Sequence, residues 1–248
     1  MTPEAVTPHE EEPGRMGAFA RITGVFFEPG KTFADIGRRP TWIAPVLVLI
    51  VAALLVTIAT TKKIGMEQII RQQLESNPRT AQLPAEQREQ AIAVQARIGG
   101  MVAYAIPVLI PVFYVLISGV LMAFTAMMSA GLRFKQVFAV VCHANLPGIV
   151  SAILTVVVIF LKNPTEFNPQ NPLAFNPAAF MDPTTSSKFV YSLASSLDLF
   201  SFWVIFLLAT GFSAAAGKRF PFGKALTAVL IPWAIWVLGK SALAGAFS

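Results

Sequence analysis

From Arg39 onward the chain alternates long uncharged apolar runs with short polar breaks. The runs are Pro40 to Thr61, Ile98 to Leu132, Gln136 to Leu161, Leu199 to Gly217 and Ala225 to Gly239, the last continuing past Lys240 to Phe247. A bilayer core of about 30 Å takes roughly 20 apolar residues of helix to cross. Because lipid offers no hydrogen bonds, the backbone of such a run must satisfy itself, and a helix does so within one segment. The pattern predicts an all-α polytopic membrane protein, residues 40–248, with five transmembrane helices over about 41–61, 99–130, 136–161, 194–217 and 224–246.

The polar breaks differ from one another, and each predicts something different. Residues 1–14 set Pro3, Pro8 and Pro13 among acids and have no apolar period, which reads as a disordered tail. Glu4, Glu10, Glu11 and Glu12 stand where a cleavable leader would carry basic and apolar regions, so helix one reads as an uncleaved anchor. In residues 15–39 the spacing of Met16, Phe19, Ile22 and Phe26 predicts an amphipathic helix lying on the membrane. Glu28, Pro29 and Gly30 then turn the chain into a second short interfacial helix with Phe33 and Ile36 toward lipid, and Arg38, Arg39 and Trp42 mark the headgroup boundary.

The break from Ile64 to Arg97 is too long for a turn. Ser76, Asn77 and Pro78 interrupt it, and Pro84 with Glu86 looks like a new helix start, so an extramembrane helical hairpin is predicted whose second arm runs into helix two. The run from Ile98 to Leu132 exceeds one span. It predicts one tilted helix or one kinked at Pro107 and Pro111, since two full spans need a turn that the sequence does not provide. Arg133 and Lys135 sit in a very short connection, which makes helices two and three antiparallel neighbours, and Pro147 predicts a kink in helix three. The last long break repeats Asn-Pro at Asn163, Asn168, Asn171 and Asn176, a dipeptide that resists helix. Phe167, Leu173, Phe175, Phe180 and Met181 would dock that loop at the membrane surface.

Composition changes the picture only by exclusion. With 55% hydrophobic residues, 13% charged and a mean hydropathy of +0.63, a soluble globular class is excluded. The net charge of +6 does not point to nucleic acid, because the cations flank the apolar runs instead of forming one patch. Lys and Arg density in the short acid-free breaks favours a cytoplasmic N-terminus and an outside C-terminus in a multi-pass protein of the cytoplasmic membrane. Cys142 is the single cysteine, so no intrachain disulfide forms.

Candidate chemistry is sparse. There are two histidines, His9 and His143, no His-Glu-x-x-His, no Gly-x-Ser-x-Gly and no Gly-rich phosphate loop, so neither an enzyme nor a cofactor is predicted. Asp198 at the start of helix four, with His143 and Asn145 in helix three, are the candidate polar intramembrane residues. Each has a plainer reading: Asp198 at a helix N-terminus, where an anion is favoured, and His143 bonded to a neighbouring helix. Lys240 either meets an acid or snorkels to the interface. Gly211 and Ala215 give helix four a small face for close approach, within the chain or between two copies. Arg15, Arg21, Lys31, Arg38 and Arg39 are the candidate contacts to anionic lipid or a partner.

The stretch Phe26-Phe27-Glu28-Pro29-Gly30-Lys31-Thr32-Phe33-Ala34-Asp35-Ile36, followed by Pro40 and Pro45, resembles the opening of bacterial Yip1-family membrane proteins. So do Phe134-Lys135-Gln136-Val137-Phe138 leading to Leu146-Pro147, and Leu197-Asp198-Leu199-Phe200-Ser201-Phe202-Trp203 ending at Gly211. The resemblance implies five transmembrane helices, a cytoplasmic N-terminus and no assigned reaction. Eukaryotic relatives are associated with Rab GTPases and vesicle formation, but their Tyr-Gly-Pro type motif is not found in this tail. Two functions are open to such a chain. The first is a non-catalytic membrane organiser or protein-interaction scaffold, partnered by the lipid bilayer, further copies of itself or other membrane proteins. The alternative is a small-solute or proton-coupled permease or channel built on broken helices and His143, Asn145 and Asp198, although no internal repeat supports it.

Overall fold

Two short helices precede the first long apolar one. In the computed structural model, which describes residues 16–75, 84–169, 171–182 and 185–246, α1 (Ala18–Phe27) and α2 (Pro29–Arg38) are joined at Glu28, with Pro29 in the first turn of α2. There follow α3 (Ile43–Lys63), α4 (Met66–Glu75), α5 (Ala85–Val108), α6 (Ile110–Met127), α7 (Phe134–Ala144) and α8 (Pro147–Leu161). The set closes with α9 (Lys188–Ser196), α10 (Leu199–Ala216) and α11 (Phe222–Ala246). No strand occurs among the described residues. The predicted tail over 1–14, Arg15 and the break at Ser76-Asn77-Pro78 lie outside the described residues.

Among the described residues, six helices are long and apolar enough to cross a membrane by length and composition, with α7 and α8 counted as one segment, Phe134–Leu161. The expected five becomes six because the second apolar run is divided at Leu109. The cause is the proline pair. Pro107 has no N–H for the carbonyl of Ala103, and Pro111 has none for that of Pro107. The hydroxyl of Thr57 on α3 reaches the freed Ala103 carbonyl at 3.5 Å. Leu109 keeps right-handed helical angles, φ −83° and ψ −3°, so the path bends there and does not reverse.

The predicted hairpin is present in α4 and the polar start of α5. Ile70, Leu74, Ile92 and Ala96 form its seam, and Arg71 makes a two-pronged contact with Glu89 at 2.6 and 3.0 Å. The Asn-Pro loop docks on protein as much as outward. Phe167 is buried among Ala59, Ile64, Ile69 and Ile159, and Gln72 of α4 donates to the Thr165 carbonyl at 3.0 Å, whereas Phe180 and Phe175 stay exposed. Asn171 and Asn176 exchange amide hydrogen bonds of 3.1 and 2.7 Å, which holds the loop's turn without regular structure.

Helix α10 is the hub, packed by α2, α7 and α11. Its small face is used within the chain. Gly211 lies against Val140 of α7 and the ring of Phe33, and Ala215 lies against Gly37 of α2. Phe33 and Ile36, expected to face lipid, are instead fully buried in this contact. The small residues of α10 open a slot that an aromatic ring fills with close van der Waals contact, and α2 turns its apolar face into it.

Candidate functional site

Two places in this bundle concentrate polar chemistry. The first is the end that carries α1 and α2. Arg21, expected to touch lipid or a partner, is 3% exposed and points inward. Its Nε and Nη2 donate to Asp35 Oδ2 at 2.8 and 2.7 Å, and its Nη1 donates to the Arg39 carbonyl at 3.0 Å and to Thr41 Oγ1 at 2.7 Å. A charge that is out of water must be paired, and the turn at Glu28 folds α2 back so that Asp35 supplies the partner. Lys31, Arg38 and Arg39 are exposed, Lys31 beside Glu28 at 3.1 Å, and Arg15 lies outside the described residues.

Around these three cations the fold gathers five more. Gln136 Nε2 donates to the Gly37 carbonyl at 2.8 Å, which brings the start of α7 to the end of α2. The Gly37–Ala215 approach brings the end of α10 to the same place, and Phe220 is buried in the same apolar cluster as Phe33. Arg133, Lys135, Lys218, Arg219 and Lys224, all exposed, therefore ring the same end. From sequence they mark orientation only. The signal that they form one surface with Lys31, Arg38 and Arg39 is that their two short breaks contain no acid. Phe19 and Phe27 on α1 are 79% and 84% exposed beside this rim.

The second place is a cavity of about 810 Å³ between α6, α8, α10 and α11. Two helix breaks shape it. Pro147 has no N–H, so α7 ends at Ala144, Leu146 N–H donates to the His143 carbonyl at 3.1 Å, and Asn145 Nδ2 caps the Val141 carbonyl at 2.8 Å. Between α9 and α10 the helix restarts at Asp198. Its Oδ1 accepts from the backbone N–H groups of Phe200 and Ser201 at 2.9 and 3.0 Å, and its Oδ2 accepts from the Ser201 hydroxyl. Asn145 and Asp198 both line the cavity, with Ser151 and Ser201, among mainly apolar and aromatic walls that include Tyr114 and Trp233.

His143 is not among the cavity residues. It is buried, and its Nδ1 donates to the Ala139 carbonyl one turn back at 2.8 Å, so the neighbouring-helix bond expected for it is replaced by one in its own helix. Lys240 is half-buried and makes no ion pair among the described residues. The expected polar trio thus separates into Asn145 with Asp198 on the cavity and His143 elsewhere. Sequence reasoning missed Ser151 and Ser201, which carry no signal beyond being hydroxyls in apolar helices.

Asp198 serves as the N-cap of α10, and that job has a measurable size. Asp198→Ala is expected to cost about 1 kcal/mol, within the range of about 0.5–2 kcal/mol for lost caps, while Asp198→Asn keeps the acceptor and loses little. The sole cysteine, Cys142, is fully buried, so thermal unfolding in detergent is read by the rate at which a thiol-reactive dye labels it. Equal midpoints for the alanine and native chains would remove the cap from the stability of α10.

A sequence model described as the Yip1 domain matches residues 23–243. No curated protein and no solved structure matches the chain.

Proposed function

The chain belongs to the Yip1 family, and on that footing we propose that it is a non-catalytic membrane organiser whose basic end holds an anionic leaflet or an acidic partner against the bundle. The carrying observation is the rim of eight exposed cations, Lys31, Arg38, Arg39, Arg133, Lys135, Lys218, Arg219 and Lys224, at one end. Its acids are already engaged: Asp35 holds Arg21, and Glu28 lies beside Lys31. Each cation near an anionic surface contributes about 1 kcal/mol, and exposed Phe19 and Phe27 supply rings suited to the interfacial layer. In this reading the basic end faces the cytoplasm. Helix α11 starts at that end and runs away from it, which supports an outside position for the end of that helix in the same reading. The permease alternative draws on the cavity of Asn145 and Asp198, but that cavity is mainly apolar and His143 is not part of it.

The test leaves the core intact. Deleting α1 and α2 would remove Phe33 and Ile36 from the interior, so the informative change is Lys31→Gln, Arg38→Gln and Arg39→Gln together on the exposed rim. In nanodiscs of mixed choline and glycerol phospholipid, the native chain is expected to retain glycerol phospholipid against salt better than the triple variant, by about 3 kcal/mol if the three act independently. Identical retention would defeat the reading.

A further inference from the structure

The cavity between α6, α8, α10 and α11 plays no part in the basic end, and its construction suits an amphiphile. At about 810 Å³ it falls within the usual range of small-molecule sites, roughly 300–1,000 Å³. Phe113, Leu116, Ile117 and Val120 of α6 and Trp236 of α11 line it and are also exposed on the outside of the bundle, so it opens sideways into lipid. Leu121, Ile205 and Leu208 continue its apolar wall inward.

One end of this apolar space holds a carboxylate. Asp198 takes its hydrogen bonds from its own helix start, and no Lys, Arg or His pairs with it among the described residues. A helix N-terminus offsets only about half a unit charge, so the carboxylate is still able to attract a cation at the edge of the cavity. Asn145 spends its amide N–H on Val141, and neither its Oδ1 nor Ser151 Oγ receives a donor among the described residues. Trp233 and Trp236 complete the apolar wall.

The geometry points to a binding site for a phospholipid with a primary ammonium headgroup, its ammonium at Asp198 and one acyl chain along Leu121, Ile205 and Leu208. A primary ammonium brings three N–H donors and a positive charge to a carboxylate whose only partners lie in its own helix start. A trimethylammonium brings none, and an anionic headgroup meets the carboxylate with like charge. Asp198 itself is separated from the basic end by the 18 residues of α10, a rise of about 27 Å, so the headgroup position stands independently of what that end binds.

The test uses the full chain in vesicles, with Trp42→Phe and Trp203→Phe leaving Trp233 and Trp236 as the emitting residues. Ethanolamine, choline and glycerol phospholipids with brominated acyl chains are compared as quenchers. The ethanolamine lipid is expected to reach half-maximal quenching at roughly one tenth the mole fraction of the other two, as one charge-assisted contact gives. Asp198→Asn, which retains the cap, is expected to erase that preference. Equal quenching by the ethanolamine and choline lipids, a stronger effect of the glycerol lipid, or a preference that survives Asp198→Asn would each overturn the assignment. If Asp198→Asn fails to fold, the comparison of lipids on the unaltered Asp198 chain still decides, and Ser151→Ala is expected to weaken the preference, an unchanged preference counting against the site.

Discussion

Arg21→Ala is expected to lower stability by about 3–5 kcal/mol, the cost of leaving one member of a buried ion pair alone. Arg21 is 3% exposed, and its guanidinium makes four contacts: two to Asp35, one to the Arg39 carbonyl and one to Thr41. Removing it strands the Asp35 carboxylate, whose side chain is 15% exposed, and unfastens the segment that leads into α3. Arg21→Lys restores little, because one ammonium cannot serve Asp35, Arg39 and Thr41 from a single point as the planar fork does. Asp35→Asn is expected to lose less than Arg21→Ala, since the amide oxygen still accepts from Nε. Replacing both residues, Arg21→Met with Asp35→Leu, is expected to recover much of the single loss, as buried pairs exchanged for apolar residues often do. Cys142 labelling against temperature in detergent reads all four chains. A loss below about 1 kcal/mol for Arg21→Ala would mean that the pair is no more than a surface bridge.

The same residue shows where the sequence stops being informative. The apolar runs were legible because lipid demands long uncharged helices, and the cap at Asp198 was legible because it rests on contacts within three residues. Which face of α2 meets what was not. An amphipathic helix presents the same pattern whether its apolar side lies on lipid or on another apolar helix, so Phe33 and Ile36 carried no sign of their partner. That sign sat far along the chain, in Gly211 and Ala215, whose small side chains leave room only for something packed against them. Arg21 followed α2 inward and took Asp35 with it. The division at Leu109 was half legible, since the prolines announced a bend but not its place between them. The cavity was not legible at all, because α6, α8, α10 and α11 meet only in the folded bundle.

If the small face of α10 is what docks α2, then Gly37→Ala is expected to destabilise by about 1–3 kcal/mol, the range for overpacked cores. A Cβ at residue 37 would lie 2.8 Å from the Cα of Ala215 and 2.9 Å from its Cβ, so backbone, not a pliable side chain, is in the way. At Gly211 the obstacle is Val140 Cγ1 at 2.5 Å and the Phe33 ring at 3.0 Å. Val140 is fully buried and stiff at its branched Cβ, so Gly211→Ala is expected to cost a similar amount. Helix propensity works the other way, favouring Ala over Gly by about 1 kcal/mol, and both net losses already contain that gain. Gly119 and Gly239 isolate it, because a Cβ there meets nothing within 4 Å; Gly119→Ala and Gly239→Ala are expected to be neutral or stabilising by up to about 1 kcal/mol. Ala215→Gly added to Gly37→Ala removes the Cβ clash but leaves the Cα in place, and so is expected to restore only part of the loss. Should Gly37→Ala behave like Gly239→Ala in the Cys142 labelling assay, α2 is not seated on α10 in the membrane, and Phe33 would be free to face lipid after all.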